Sequence, residues 1–497
     1  LKPIQALSSV ALALLLASGY AQAATTYYVS TTGNDANPGT LASPWRHINH
    51  AATVAAAGAT VYVRGGVYNE YVTFAKSGNA TAGPIVFQNY AGELPIVDGT
   101  GVNCCGGDMR GLFNVNSKSY ITINGFEIRN YASSTKNDEP AGIVVIGSGT
   151  QIKLLNNKIH DIKTTIEKTG NAHGIAVWGT GTTPYSQITI SGNEVYNLKT
   201  GQTETVALDG NVTDFTITGN LIHDNSNIGI DVIGFQGTGP DGHDQVKNGT
   251  IADNRLYNIT TTKNPSYNNE PSAGGIYCDG CANVVIERNL IRNADLGIEV
   301  AAETAGEKSS NVTVRNNLVY DTQLANISIG GYDAGRGGAD RVTVVNNTLY
   351  QSAAAKGEGF QVQFNTTNSV FKNNIVFLSN AQSSTGGHMV NNVATWTTSP
   401  VAFDNNVYFN DAGNATWIWN NKTYTGLGSF VSGAKQDTHS KFGNPLFFNL
   451  AGRDLRVSAN SPAVGAGTNL GASIVGATDF AGAARVIQII DAGAYER

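Results

Sequence analysis

The 497 residues carry 31 Lys and Arg against 37 Asp and Glu, a formal net charge of −6. Nucleic-acid binding needs a positive footprint, and this chain has none. With 58 Gly and only 2 Met beside abundant Asn and Thr, the composition suits short strands joined by tight turns and is poor for helices.

The first residues, LKPIQALSSVALALLLASGYAQA, join an early lysine to an apolar run from Val10 to Leu16 and to small residues Ala21 and Ala23. This pattern predicts a secretory signal at 1–23, cut near Ala23, because the run is shorter than the ~20 apolar residues that span a bilayer. No later segment is apolar enough to cross. The expectation is a secreted or periplasmic monomer that engages neither membrane nor nucleic acid.

In SPWRHINHAATVAAAGATVYV, Ser43 reads as a helix N-cap and Pro44 as the first helical residue. Ile48, Ala51, Ala52 and Ala55 would then face a first coil that the helix covers. Residues 24–120 would hold this cap and the first coils, 121–410 the main coils, and 411–497 the last coils and a closing cap, all in one solenoid.

The four cysteines, vicinal Cys104 and Cys105 and the CDGC pair Cys278 and Cys281, make no disulfide framework and have no zinc-like spacing. Cys278 falls on an inward strand position and reads as a small buried hydrophobe.

From residue 156 onward one motif returns: NNKIHD, GNEVYN, GNLIHD, DNRLYN, RNLIRN, NNLVYD, NNTLYQ, NNIVFL and NNVYFN. Its second residue is Asn157, Asn193, Asn220, Asn254, Asn289, Asn317, Asn347, Asn374 and Asn406. An alternating strand such as SQITIS or NVTVRN precedes each motif, and a GIxVxG-type strand follows about midway to the next. Segments this short cannot bury an apolar face alone, whereas stacked coils build a continuous core. The period is two rather than 3.6, which excludes helical repeats. The fold expected is all-β, a right-handed parallel β-helix, with the asparagines stacked at a turn and bonding the coils above and below.

The opening TYYVSTTGNDANPGTLASPWRHINHA, the asparagine coils and the closing LRVSANSPAVGAG and DAGAYER resemble the secreted bacterial right-handed β-helix proteins of the pectate-lyase-like superfamily, carbohydrate-active members included. The likeness covers nearly the whole mature chain, and one such fold hosts many chemistries.

Successive GIxVxG strands align on their inward aliphatic pairs, from Ile143 and Val145 to Phe360 and Val362. Alternation then turns the intervening residues outward. Four middle coils each place one carboxylate there: Asp209, Asp231, Asp279 and Glu299. No Lys or Arg takes these slots, and crowded like charges raise one another's pKa. Trp178, Tyr277 and the long loops at 235–250 and 261–273 flank the stripe.

Carboxylates beside aromatic platforms fit a polysaccharide or oligosaccharide partner. A glycoside hydrolase needs one protonated and one ionised carboxyl, and no cofactor. Asp279 and Glu299 are the expected pair, with a spacing that resembles the Asp/Glu pairs of the β-xylosidase-like β-helix glycosidases. Asp231 would tune or replace one of them. Asp209, Trp178, Tyr277, Glu303, Tyr332 and His173 are the expected substrate contacts, and the Gly-rich loop with Tyr332 would also bring Asp333 and Arg336 to this face.

The polygalacturonase and alginate-epimerase motifs are absent. The alternative is a polysaccharide lyase acting on a uronate polymer, with Ca2+ held by Asp209, Asp231, Asp279 and Glu299. Its base would be Tyr277, His173 or His223. Asn227 and Ile228 stand where paired aspartates help hold calcium in pectate lyases. A non-catalytic glycan-binding or adhesin solenoid is the third reading; it would need the aromatics but not the crowded acids. His160 and His223 share one offset from the ladder and read as turn residues.

Overall fold

The structure, a computed structural model, describes residues 25–379, 387–413 and 415–497. The expected signal at 1–23 lies outside the described residues. Each coil visits three parallel sheets in turn. The first has fifteen strands and the other two thirteen each. Ile121–Asn124, Glu127–Ser133 and Glu139–Gly147 make one such coil, and Gly149–Leu155 then returns to pair in parallel beside Ile121–Asn124. Inward rows of Ile, Val, Leu and Phe from all three sheets merge into one buried core. This is the expected parallel β-helix.

The asparagine ladder is present as a hydrogen-bonded stack. Asn254 Oδ1 accepts from the backbone N–H of Asn220 at 3.0 Å and from its Nδ2 at 2.9 Å. Asn254 Nδ2 donates to the Ile217 carbonyl and to Asn289 Oδ1, both at 3.0 Å. The pattern repeats from Asn157 to Asn374. Buried amides so paired carry little desolvation cost.

The residue before each ladder asparagine turns the chain with a positive φ: 51° at Asn156, 68° at Gly192, 59° at Asp253, 56° at Asn316 and 58° at Asn405. Gly, Asn and Asp enter this left-handed region most readily. The motif's first letter is therefore a turn requirement, which the sequence reading left unexplained.

Helix α1 (Ile48–Val54) has His47, not Ser43, at its N-cap. Trp45 bridges Val29 as an extra rung of the first sheet and its Nε1 donates to the Asn37 carbonyl, so this stretch cannot be helical. The first-turn amides are satisfied from a distance instead: Glu70 accepts from Ile48 N at 2.9 Å and Asn49 N at 3.0 Å. Ile48, Ala51, Ala52 and Ala55 are buried as expected, and the helix packs against Thr26–Val29 and Val72–Thr73.

The closing segment adds no further coil to the three long sheets. It runs back along the stack, where the left-handed asparagines receive it. Asn316 Nδ2 donates to the Val475 carbonyl, Asn346 Nδ2 to that of Asp491 and Asn373 Nδ2 to that of Thr468. Among the described residues no helix is long and apolar enough to cross a membrane.

Candidate active site

The third sheet carries the site. Its middle strands are β1 (His173–Gly179), β2 (Val206–Gly210), β3 (Ile230–Ile233), β4 (Gly274–Asp279), β5 (Leu296–Ala301), β6 (Ala325–Ile329) and β7 (Glu358–Val362). Their register is the one the aliphatic pairs predict. Ala176, Ala207, Asp231, Tyr277, Glu299, Ser328 and Gln361 form one outward row. Trp178, Asp209, Ile233, Asp279 and Ala301 form the next. Each row thus holds two acids two coils apart, separated by about 10 Å between backbones. Asp279 and Glu299 sit diagonally on adjacent coils.

The stripe is not the open wall that strand alternation suggests. Asp231 is 2 % exposed, Asp279 4 %, Asp209 6 % and Glu299 9 %. The two long loops roof it. In the segment after β3, Gln236 Nε2 donates to Asp279 Oδ2 at 3.2 Å and the Thr238 hydroxyl donates to Asp209 Oδ2. The segment before β4 reaches back over earlier coils. Asn264 Nδ2 donates to the carbonyls of Gly201 at 2.7 Å and Ser226 at 2.9 Å, and Ser266 Oγ donates to that of Glu167 at 3.2 Å. Tyr267 is fixed between Asn227 Nδ2, which donates to its hydroxyl, and the Gln202 carbonyl, which accepts from it.

Burial under these loops sets the electrostatics, because a carboxylate stripped of water holds its proton. Burial first, then the Glu303 and Asp279 carboxylates, pushes Glu299 up to about 8. Asp279 rises to about 7 through burial and then Glu303, against the Glu303 backbone N–H and Gln236, which favour its ionised form. Burial followed by Glu204, Asp279, Glu303 and Asp209 drives Asp231 well above the carboxylate range. Its buried Oδ1 has no hydrogen-bond partner, and the same holds for Asp209 Oδ1. Asp209, relieved by Thr238, rises through burial to about 6.

A cleft of about 740 Å3 opens on this sheet beside the roof. Glu299, Glu303, Tyr277, Tyr267 and Tyr332 line it, with Gln361, Gln363, Asn391, Lys356 and Glu358 farther along. Of the expected substrate contacts, Tyr277, Glu303 and Tyr332 therefore reach the cleft. Asp209 and Trp178 do not line it, and Asp231 and Asp279 lie just behind it under the roof.

His173 is fully buried, with Nδ1 3.1 Å from the Glu204 carbonyl and the ring edge-on to Trp178 of the outward row. Burial pushes it down to about 4, and it does not line the cleft. His223 lies on the second sheet, stacked between Tyr196 and Tyr257, and is likewise away from the cleft. Arg336 Nη1 lies 3.5 Å from Glu303 Oε2 and its guanidinium covers the Tyr332 ring. Asp333 lies 3.9 Å from the same guanidinium.

Sequence reading missed Glu204, Gln236, Thr238, Lys356 and Glu358, which come from loops and strand ends outside the aligned slots. Glu204 is raised to about 8 by burial and then by Asp209 and Asp279. No periodic signal points to these residues. Only the length of the loop at 235–250 could have suggested two of them, Gln236 and Thr238.

Both cysteine pairs are disulfide-bonded, Cys104 to Cys105 and Cys278 to Cys281. Cys278 is inward and buried as expected, yet it is not a free thiol. Its bridge closes a four-residue ring around Asp279 and Gly280, with Cα atoms of the two cysteines 5.4 Å apart.

The calcium reading finds no converging donor set. Among the described residues, the only group of three or more His, Cys, Asp or Glu whose ligand atoms lie within 4.8 Å of one another is Cys104, Cys105 and Asp138. Two of those are tied in the bridge. Asp209, Asp231, Asp279 and Glu299 alternate between rows and do not gather around one point.

A stacked three-sheet coil with a roofed carboxylate cluster defines a β-helix protein with a buried acidic site. Comparison with known proteins agrees on the fold. Residues 27–199 match the Pel9A-like right-handed β-helix region, and residues 212–359 match the disaggregatase-related family. The chain is 35 % identical over 439 residues to the uncharacterized protein YwoF of Bacillus subtilis (strain 168), covering 88 % of this chain and 91 % of that one. It belongs to the YwoF family, within the right-handed β-helix proteins of the pectate-lyase-like superfamily. It is also 34 % identical over 113 residues to pectate lyase PEL9 of Emericella nidulans, covering 21 % of this chain and 27 % of that one. The solved structure of XylC with xylose superposes with a TM-score of 0.58 at 13 % identity, covering 95 % of this chain and 99 % of that one.

Proposed function

We propose that this protein is a glycoside hydrolase in which Glu299 is the general acid and Asp279 the general base. The observation that carries the reading is the unlike environment of two carboxyls on adjacent coils. Asp279 accepts from two N–H donors, the Glu303 backbone at 2.8 Å and Gln236 at 3.2 Å, which stabilise its ionised form. Glu299 faces the cleft, is nearly buried, and rises to about 8, so it carries a proton at neutral pH. That is the division of labour glycoside hydrolysis requires.

Glu299 would protonate the leaving oxygen while Asp279, behind the cleft wall, acts as general base on the water that attacks the anomeric carbon. Asp231 lies behind them, where burial and the neighbouring carboxylates disfavour a further negative charge. Tyr277 and Tyr332 offer ring surface to a sugar, and sharing a fold with XylC, solved with xylose, is in keeping with a sugar ligand. Product analysis on a polysaccharide panel tests the reading. New reducing ends without an unsaturated uronate are expected, and near-normal turnover in both Asp279→Asn and Glu299→Gln sinks it.

A lyase is the second reading, favoured by Lys356 in the same cleft as Glu299 and by the local identity to pectate lyase PEL9. Lys356 would then be the base. Ultraviolet absorbance from an unsaturated product, lost in Lys356→Ala, would decide for it.

A further inference from the structure

Building on the hydrolase reading, we infer that the cleft is blind at the acid pair and takes the free end of an uncharged glycan chain, from which it releases terminal units. Toward the N-terminal coils, the outward row that holds Glu299 continues through Asp231, Ala207 and Ala176, each at most 2 % exposed. The segment bearing Asn264, Ser266 and Tyr267 is stitched across exactly those coils' edges at Glu167, Gly201, Gln202 and Ser226. The other row is closed by the segment bearing Gln236 and Thr238. A glycan cannot pass through the acid pair and continue in that direction.

Toward the C-terminal coils the same row runs on as Ser328, Gln361 and Asn391, in register across successive coils. Gln361 and Asn391 line the cleft. Coil spacing of ~4.8 Å is close to the length of one sugar unit in an extended chain, so Gln361 and Asn391 can meet successive units, while Ser328 is buried and donates to Gln361 Oε1. Gln363, beside them, has a buried Oε1 without a partner, an acceptor aimed at no protein donor.

Charge selects the class of chain. Of the acids that line the cleft, Glu299 holds a proton and Glu358 is bonded to His388 and Asn391, beside the ammonium of Lys356. The nearby Arg336 is engaged with Glu303. In the row that runs on from Glu299, Ser328, Gln361 and Asn391 supply no cation to pair with one carboxylate per unit, as a polyuronate would require. Uncharged sugars meet amides and ring faces instead.

The test uses the full chain on neutral oligosaccharides of increasing length, labelled at one end, beside polyuronates. Release of one product size from one terminus at every length, with polyuronates untouched, is the expected result. Mixed internal fragments from the first time points would overturn the blind cleft while leaving the hydrolase reading intact. Cleavage of polyuronate to unsaturated products, or no hydrolysis of any neutral glycan, would overturn both. Gln361→Ala supplies an independent readout. KM for the longest oligosaccharide should rise about tenfold relative to that for the shortest, a loss near 1.4 kcal/mol. An equal change at all lengths would remove the amide rail.

Discussion

Two polar stacks run along the same coils at the same spacing, the asparagine ladder and the acidic stripe, and they are opposites. Asn220, Asn254 and Asn289 are almost fully buried, and each amide is bonded to the coils on both sides. Asp231 and Glu299 are also nearly buried, yet Asp231 leaves one oxygen unpartnered and both carboxyls sit among other carboxyls. A satisfied buried network rigidifies a fold, whereas an unsatisfied one costs stability and persists where a site needs it. The contrast separates what holds the solenoid together from what it presents.

The sharpest break of that comparison is chemical. Asp279→Asn and Glu299→Gln should each lower kcat/KM by about 10²–10⁴-fold, with the far-ultraviolet spectrum unchanged. In the wild type, kcat/KM should rise as Asp279 ionises through about 7 and fall as Glu299 loses its proton through about 8. A pH profile should therefore peak between these values, and Glu299→Gln should erase its alkaline limb.

The reciprocal change lies in the ladder. Asn254→Ala removes both amide donors and the acceptor used by Asn220. It should cost about 3 kcal/mol by denaturant unfolding, with kcat per folded molecule unaltered.

Smaller effects are expected from the ring that holds Asp279. The double change Cys278→Ser and Cys281→Ser frees the turn carrying Asp279. It should lower stability by about 2 kcal/mol, since so short a loop constrains the unfolded chain little. It should also reduce kcat about tenfold through misplacement of that carboxyl.

The smallest effect is a matter of sign. Asp231 and Glu299 are raised in the fold, but release their protons unfolded above the ordinary values of 3.8 for Asp and 4.5 for Glu. Over that window the folded state binds more protons, so stability falls as pH rises toward about 8. Asp231→Asn removes one such group. It should raise Tm near pH 8 and leave it unchanged near pH 4, as read by a thermal scan at both.

The sequence by itself determined the coil, the ladder and the register. Alternation between Ile276 and Cys278, or Ile298 and Val300, leaves Tyr277 and Glu299 only one face to occupy, because a one-residue slip would turn every aliphatic outward. The four acids could be placed in two rows on that ground alone. Whether they meet water could not, since that depends on loops whose course no periodicity fixes. Gln236 and Thr238 bond carboxylates of the flanking coils and Tyr267 the Gln202 carbonyl two coils back, contacts with no repeating pattern to read. The left-handed asparagines present the same case, because their role in receiving the closing segment appears only when residues about 150 positions apart meet, as Asn346 and Asp491 do. Local spacing encodes which face a residue takes, but burial, and with it the proton each carboxyl holds, is a property of everything packed around it.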